Sequence, residues 1–287
     1  MSDLLPKTPL ITAEDLQAAL SGAKPPLLVD CRFRLDDASA GEAAWRQSRL
    51  PGARYAHLER DFSGPVVPGS SGRHPAPGVA AVVASLRHLG VGPDDPVVFY
   101  DDAGGPFAAR GWWLACHAGH PAAQVLDGGL AAWTAAGGDL ETGPPPPARP
   151  EAPAWPRRPP LLEAATAGDV LAAIAAGASL LDARSPERFA GEVEPIDPVA
   201  GHIPGALCLP HGGNLATDGR WRGREELARR WSGIDADAAI CYCGSGVTAA
   251  HNVLAAVQAG VGRPRLYVGS WSEWIRDPER PVATGRA

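Results

Sequence analysis

The residue best suited to chemistry in this sequence is Cys243, which stands at the start of a glycine-containing loop. Residues 239–242 before it read as a short buried strand, and the residues from Thr248 onward have the apolar spacing of a helix. Ligand sites in open α/β sheets gather at the carboxyl ends of strands. The order strand, loop, helix therefore predicts that Cys243 is a nucleophile at such an end.

The loop after Cys243 has the composition of an anion-binding turn. Gly244 and Gly246 allow backbone N–H groups to point inward, and the following helix adds its positive N-terminal end. A thiolate and a persulfide both carry negative charge, so this loop would stabilise either one without an adjacent histidine base. The alternative is a buried structural cysteine in a strand-to-helix turn.

The sequence contains an internal repeat, which implies two domains of one kind. Thr12 and Thr166 each precede a helical pattern with an acidic residue three positions on, which predicts two threonine-capped helices. A short apolar run then ends in Asp30 in the first copy and in Asp182 in the second. Each run predicts a buried strand with its aspartate at the carboxyl end.

The two copies differ in length at one place. Matching Pro-Gly turns lie 153 residues apart at Pro51 and Pro204, whereas matching strands lie 142 residues apart at Tyr100 and Tyr242. The first copy therefore carries 11 extra residues between these points. We place them in residues 61–77, which are rich in glycine, serine and proline.

Strands alternating with helical segments in each copy predict an α/β fold, with a mostly parallel sheet flanked by helices in two tandem domains. The dense prolines of 143–160 predict an extended linker between domains at 1–142 and 161–287. Asp101 occupies the place of Cys243 in the first copy. This difference predicts one inactive and one catalytic domain, and it weakens the structural-cysteine alternative.

Composition excludes several classes of function. A formal charge of −6 with no cluster of Lys and Arg argues against nucleic-acid binding, and no apolar run reaches the length of a membrane helix. The five cysteines are odd in number and unevenly spaced, which predicts free thiols in the cytoplasm. We expect no metal and no cofactor, since the Cys241–Cys243 pair has no partner at zinc-site spacing. Internal duplication favours a monomer.

Three segments of the second copy carry a family resemblance. Cys243-Gly-Ser-Gly-Val-Thr resembles the active loop of the 3-mercaptopyruvate sulfurtransferases within the rhodanese family. Asp182-Ala-Arg-Ser-Pro-Glu-Arg-Phe and Gly201-His-Ile-Pro-Gly-Ala resemble two further signatures of that family. The resemblance covers nearly the whole chain and implies two rhodanese-like domains, the first of them inactive.

The resemblance also implies a reaction. Sulfur would pass from a small anionic donor to Cys243, forming a persulfide, and then to a thiol such as thioredoxin or a small thiol, or to cyanide. Arg188 matches the arginine that holds the donor's anionic group, a role that suits a guanidinium fork. The substrate-binding loop residues would be Gly244, Gly246, Val247 and Thr248.

The resemblance assigns supporting roles to further residues. Ser245 matches a serine that polarises the donor, and His74 and Asp61 of the first copy fall at positions that would complete a Ser–His–Asp relay. The alternative for His74 is an exposed loop residue. Asp182 and Arg184 would brace the site.

The identity of the donor stays open between two compounds. Neutral Gly244 and Ser245 favour the monoanion 3-mercaptopyruvate over the dianion thiosulfate, because a dianion near a partly buried site needs paired charge. However, residues 192–200 lack the second arginine that mercaptopyruvate-using relatives often carry. A non-catalytic rhodanese-like binding module is a third reading. A cysteine phosphatase is disfavoured, since no arginine follows Cys243 before Arg263.

Overall fold

The computed structural model describes residues 8–147 and 150–286. These residues form two compact units. Unit 1 contains the described residues of Met1–Ser63, Pro77–Leu161 and Thr217–Trp221. Unit 2 contains the described residues of Gly64–Ala76, Leu162–Ala216 and Arg222–Ala287.

Unit 1 alternates short strands with helices. Its strands are β1 (Leu10–Ile11), β2 (Leu27–Asp30), β3 (Ser48–Arg49), β4 (Arg54–Tyr55), β5 (Val97–Tyr100), β6 (Ala123–Leu126) and β7 (Glu141–Thr142). Its helices are α1 (Ala13–Leu20), α2 (Ala40–Gln47), α3 (Leu58–Asp61), α4 (Val79–His88), α5 (Pro106–His117) and α6 (Gly129–Ala135). The main sheet has the order β1-β6-β5-β2-β4, with every pairing parallel. Strands β3 and β7 form a separate antiparallel pair.

Unit 2 repeats this arrangement. Its strands are β8 (Ala164–Ala165), β9 (Leu180–Asp182), β10 (Ala206–Cys208), β11 (Ile240–Tyr242) and β12 (Arg265–Tyr267). Its helices are α7 (Ala167–Ala175), α8 (Pro186–Ala190), α9 (Arg224–Arg230), α10 (Thr248–Ala259) and α11 (Ser270–Trp274), with a 3₁₀ turn at His211–Asn214. The sheet order is β10-β9-β11-β12-β8, again with every pairing parallel. The predicted fold, two tandem α/β domains with parallel sheets flanked by helices, is confirmed.

The repeated start of each copy folds as its sequence predicts. The Thr12 hydroxyl accepts the backbone N–H of Asp15 at 3.0 Å and caps α1. Thr166 does the same for Asp169 at 3.2 Å, and the Asp169 carboxylate accepts the Thr166 N–H at 2.8 Å to complete a capping box at α7. Each helix then packs its apolar face on the sheet through Leu16 in unit 1 and Val170 in unit 2.

Both units include a segment that comes from the other copy. Gly64–Ala76 lies within the predicted insertion of copy one, yet it packs as part of unit 2, where the backbone N–H of Arg73 donates to the Ser272 hydroxyl at 3.1 Å. Thr217–Trp221 belongs to unit 1, where the backbone N–H of Trp221 donates to the Asp127 carboxylate at 2.8 Å. Each unit is therefore completed by residues distant in sequence.

No helix within residues 8–147 and 150–286 combines the length and the apolar character that crossing a membrane requires. No group of three or more His, Cys, Asp or Glu side chains there is arranged to hold a metal ion.

Candidate active site

Cys243 follows the last residue of β11 and opens the loop that leads into α10. The backbone N–H of Gly246 points back at the cysteine and donates to its Sγ at 3.1 Å, as an anion-binding loop requires. Gly246 has φ +77°, and a Cβ there would lie 2.5 Å from the carbonyl oxygen of Val268. Only glycine fits this position, so the loop geometry depends on it. Cys243 is 2% exposed.

Ser270 holds the backbone of Cys243 in place. Its hydroxyl accepts the Cys243 N–H at 3.1 Å and donates to the carbonyl of Tyr267 at 2.9 Å. Trp271, the next residue, donates its backbone N–H to the Cys243 carbonyl at 2.9 Å. Ser270 is the one non-glycine residue with positive φ in the described chain, at φ 55°. Such backbone conformations are unfavourable and cluster at functional sites.

Sequence reasoning missed Ser270, although the repeat contained a signal. Its counterpart in copy one is Gly129, which has the same φ of +55° and sits against the carbonyl of Asp101. When a non-glycine residue aligns with a glycine of left-handed conformation, its side chain makes interactions that compensate for the backbone strain.

Ser245 and His74 form a direct contact within unit 2. The Nδ1 atom of His74 lies 2.8 Å from the Ser245 hydroxyl, and both side chains are buried. The alternative of an exposed loop histidine is therefore wrong. Asp61, the third member of the predicted relay, ends α3 in unit 1, where its carboxylate accepts the N–H of His57 at 2.7 Å. Its link to His74 stays a prediction.

Two arginines, Arg188 from α8 and Arg73 from Gly64–Ala76, approach the loop at Gly244. A Cβ built on Gly244 would lie 2.9 Å from Nη2 of Arg73 and 3.5 Å from Nη2 of Arg188. Because Gly244 has no side chain, both guanidinium groups have room beside it, next to Cys243 in the chain.

Arg73 is the second functional residue that sequence reasoning missed. Residues 192–200 contain no second arginine, whereas the structure supplies one from the insertion of copy one. The available signal was its place directly before His74, in the stretch already expected to reach the site.

Two carboxylates pair with these arginines. Arg188 donates from Nη2 to Glu194 at 2.7 Å, and it also lies 3.4 Å from Oδ2 of Asp197. Arg73 pairs with the other oxygen of Asp197. Burial raises the pKa of Asp197 even though Arg73 and Arg188 oppose this. Burial acts in the same direction on Glu194, but the hydrogen bond from Arg188 brings its pKa below the usual value.

A buried ion pair underlies the site. The side chain of Arg184 donates from Nη2 to Asp182 at 2.6 Å and to the carbonyl of Gly201 at 2.7 Å. Burial opposes the charge of Arg184, but pairing with Asp182 raises its pKa overall. The guanidinium also stacks 4.9 Å from the ring centroid of Trp271 in α11. The ion pair thus connects β9 to α11, whose Ser270 and Trp271 hydrogen-bond the backbone of Cys243. This arrangement is consistent with the bracing role expected of Asp182 and Arg184.

Copy one shows what the same loop does without a cysteine. Asp101 is fully buried, and its carboxylate accepts four backbone N–H groups at 2.9–3.0 Å, those of Ala103, Gly105, Phe107 and Ala108. Burial raises its pKa, and these N–H groups oppose the rise. The loop of copy one is therefore an anion-binding turn filled by its own side chain, with no nucleophilic sulfur.

The remaining predicted loop residues lie where α10 begins. Val247 is buried and precedes the helix, and Thr248 is its partly exposed first residue. Their contact with a donor stays a prediction, as does that of Gly244 and Gly246.

Comparison with known families gives two matches along the chain. The rhodanese-like domain family matches residues 12–136 and again residues 166–277. These ranges coincide with the two copies of the repeat.

Curated relatives are similar over almost the full length. A protein of Pseudomonas aeruginosa named as a probable 3-mercaptopyruvate sulfurtransferase is 50% identical, covering 96% of this chain and 98% of its own. A protein of Mycobacterium tuberculosis, named provisionally as a thiosulfate sulfurtransferase, is 44% identical over 97% of this chain and 98% of its own. The human 3-mercaptopyruvate sulfurtransferase is 31% identical over 96% of this chain and 93% of its own.

Solved structures of related proteins superpose on most of this chain. The 3-mercaptopyruvate sulfurtransferase of Leishmania major superposes with a TM-score of 0.81 at 32% identity, over 94% of this chain and 74% of that one. An Escherichia coli protein described as a 3-mercaptopyruvate sulfotransferase with the rhodanese fold gives 0.77 at 30% identity, over 93% of this chain and 100% of that one.

Proposed function

This chain belongs to the rhodanese family of sulfurtransferases, and we propose that it moves sulfur from 3-mercaptopyruvate through a persulfide on Cys243 to a thiol or cyanide. The thiolate of Cys243 attacks the donor's sulfur, and the donor's C–S bond breaks. The electron pair of that bond passes to carbon as the enolate of pyruvate, which takes up the proton that the donor's thiol gives up. The acceptor then attacks the outer sulfur and restores the Cys243 thiolate.

The observation that carries this proposal is the 2.8 Å contact between His74 and Ser245. Ser245 stands two residues after Cys243 in the chain. Mercaptopyruvate has a ketone whose oxygen becomes negative as the C–S bond breaks. The Ser245 hydroxyl can donate a hydrogen bond to that oxygen, and His74 orients the hydroxyl. Thiosulfate has no ketone and releases sulfite, whose electron pair resides on sulfur, so no enolate oxygen forms and this pair favours the ketone donor.

The arginine pair supports the same donor. A carboxylate placed beside Gly244 would lie within reach of Arg73 and Arg188, whose guanidinium groups approach that residue. Charge-assisted hydrogen bonds from guanidinium to carboxylate are strong and directional. Arg73 thereby takes the role of the second arginine that residues 192–200 lack.

Thiosulfate is the second candidate donor. Two guanidinium groups near Cys243 could also hold a dianion, and the M. tuberculosis relative carries the name of a thiosulfate sulfurtransferase. Comparing kcat/KM for the two donors, with cyanide as acceptor, decides between them. We expect mercaptopyruvate to be preferred, and a preference of about tenfold or more for thiosulfate would reverse the assignment.

We also propose the surroundings in which the enzyme works. No disulfide joins the five cysteines, all of which lie in the described part of the chain; this suits a reducing compartment, and the proposed location is the cytoplasm. The proposed acceptor there is thioredoxin or a small thiol, and the proposed state is a monomer. For the domain limits we retain 1–142 and 161–287 with a linker at 143–160. Size-exclusion chromatography with light scattering tests the monomer.

A further inference from the structure

We propose that Asp197 sets the charge of the sulfur donor: its carboxylate neutralises part of the arginine pair, so that the site accepts a monoanion and discriminates against a dianion. This inference rests on the proposed function and names a residue that determines its specificity. Asp197 lies in the stretch of residues 192–200, which contains three acidic residues and no arginine.

The geometry places Asp197 between the two guanidinium groups. One carboxylate oxygen pairs with Nη1 of Arg73, and the other lies 3.4 Å from Nη2 of Arg188. The Asp197 side chain is 4% exposed, so water screens these interactions little. The donor's carboxylate therefore meets arginines that already share an internal carboxylate.

The position of Asp197 is fixed by the turn that carries it. Its backbone N–H and that of Ile196 each donate at 3.1 Å to Oε1 of Glu194, the same oxygen that Arg188 binds. Glu194 thus anchors both the turn and Arg188. An aspartate held by its own backbone in this way remains near the arginines when a donor binds.

Counting the charges around Asp197 gives the predicted selectivity. Arg73 and Arg188 are balanced by Glu194 and Asp197, and the nearby Arg184 is paired with Asp182. These three arginines and three carboxylates sum to zero, so a donor with one negative charge adds one charge to a neutral cluster. A dianion adds two charges. The buried Asp197 carboxylate repels it more strongly than it repels a monoanion, so the dianion binds less favourably.

The test compares two donors in four proteins: wild type, Asp197→Asn, Asp197→Glu and Glu192→Gln. Glu192 is the matched control, an exposed acid of the same stretch that pairs with Arg286. We expect Asp197→Asn to raise the ratio of kcat/KM for thiosulfate to kcat/KM for mercaptopyruvate by about tenfold. Asp197→Glu and Glu192→Gln should leave that ratio within about twofold of wild type.

Competition by unreactive anions separates charge selection from a general loosening of the site. Asp197→Asn should lower the inhibition constant of sulfate, a dianion, more than that of pyruvate, a monoanion. An unchanged donor ratio in Asp197→Asn, or an equal change in Asp197→Glu, would overturn the inference. If wild type turned over neither donor, the proposed function would fail instead, so the two failures are distinguishable.

Discussion

The hydroxyl of Ser270 accepts the backbone N–H of Cys243 at 3.1 Å from a left-handed backbone conformation that few residues other than glycine adopt. The equivalent residue of copy one, Gly129, has the same φ and no side chain. Copy two thus keeps a strained serine at the point where the nucleophile's backbone is held. Strain of this kind persists when the side chain makes interactions that compensate for it.

This relationship predicts an unusual order of stability at Ser270. Alanine keeps the Cβ and the strain but loses both hydrogen bonds, whereas glycine loses the hydrogen bonds and the strain together. Ser270→Gly should therefore be more stable than Ser270→Ala by about 1–2 kcal/mol, measured by urea unfolding. Both variants should transfer sulfur more slowly than wild type.

Ser272 is the control for this stability order, because it lies in the same helix without a positive φ. There, glycine should be less stable than alanine by about 0.5–1 kcal/mol. Equal or greater stability of Ser270→Ala over Ser270→Gly would show that φ at Ser270 is not strained.

The contact between Ser245 and His74 predicts donor-dependent effects of substitution. Ser245→Ala and His74→Asn should each lower kcat for mercaptopyruvate by about 10²-fold, because the enolate oxygen loses its polarised hydrogen-bond donor. The rate with thiosulfate, which forms no enolate, should fall far less. Steady-state cyanolysis with each donor provides the comparison, and equal losses with both donors would argue for a purely structural contact.

Arg73 should contribute to donor binding more than to the chemical step. Arg73→Met should raise KM for mercaptopyruvate by about 10- to 100-fold, as expected for loss of a charge-assisted hydrogen bond, with a smaller effect on kcat. Arg286→Met is the matched control, since Arg286 is exposed and pairs with Glu192. An unchanged KM in Arg73→Met would remove Arg73 from the binding site.

The raised pKa of Asp197 predicts how donor preference depends on pH. As the pH falls from neutral, Asp197 gains its proton before an ordinary aspartate would, and the cluster becomes more positive. Asp197 faces Arg73, Arg184, Arg188 and Glu194, and Glu194 titrates at lower pH than usual because its pKa is lowered. The thiosulfate-to-mercaptopyruvate ratio of kcat/KM should therefore rise toward acid pH in wild type.

The same pH series in Asp197→Asn isolates the contribution of this carboxylate. Groups whose titration does not depend on Asp197 change the two profiles alike. The ratio in Asp197→Asn should begin high and vary less with pH. Parallel profiles in the two proteins would mean that another group controls the preference.

Much of this site could be predicted from the sequence because its central residues are adjacent in the chain. Cys243, Ser245 and Gly246 occupy one strand-loop-helix segment, and the repeat marked the loop by its contrast with Asp101. Local patterns of this kind indicate both the fold and the nucleophile. The pairing of Ser245 with His74 could be expected only through the family resemblance, since the two residues lie 171 positions apart.

Arg73, Asp197 and Ser270 were not predicted, because their roles arise from tertiary contacts that sequence patterns indicate only weakly. Arg73 acts through a loop of copy one that packs in unit 2, and Asp197 through its position between two arginines. Ser270 matters because of a backbone angle that residue type alone does not reveal.

Mass spectrometry after incubation with mercaptopyruvate, without any acceptor, tests the central claim most directly. One added sulfur atom is expected on Cys243, retained in Cys241→Ser, absent in Cys243→Ser, and released as thiocyanate by cyanide. No added sulfur in wild type, or sulfur that remains in Cys243→Ser, would contradict the account.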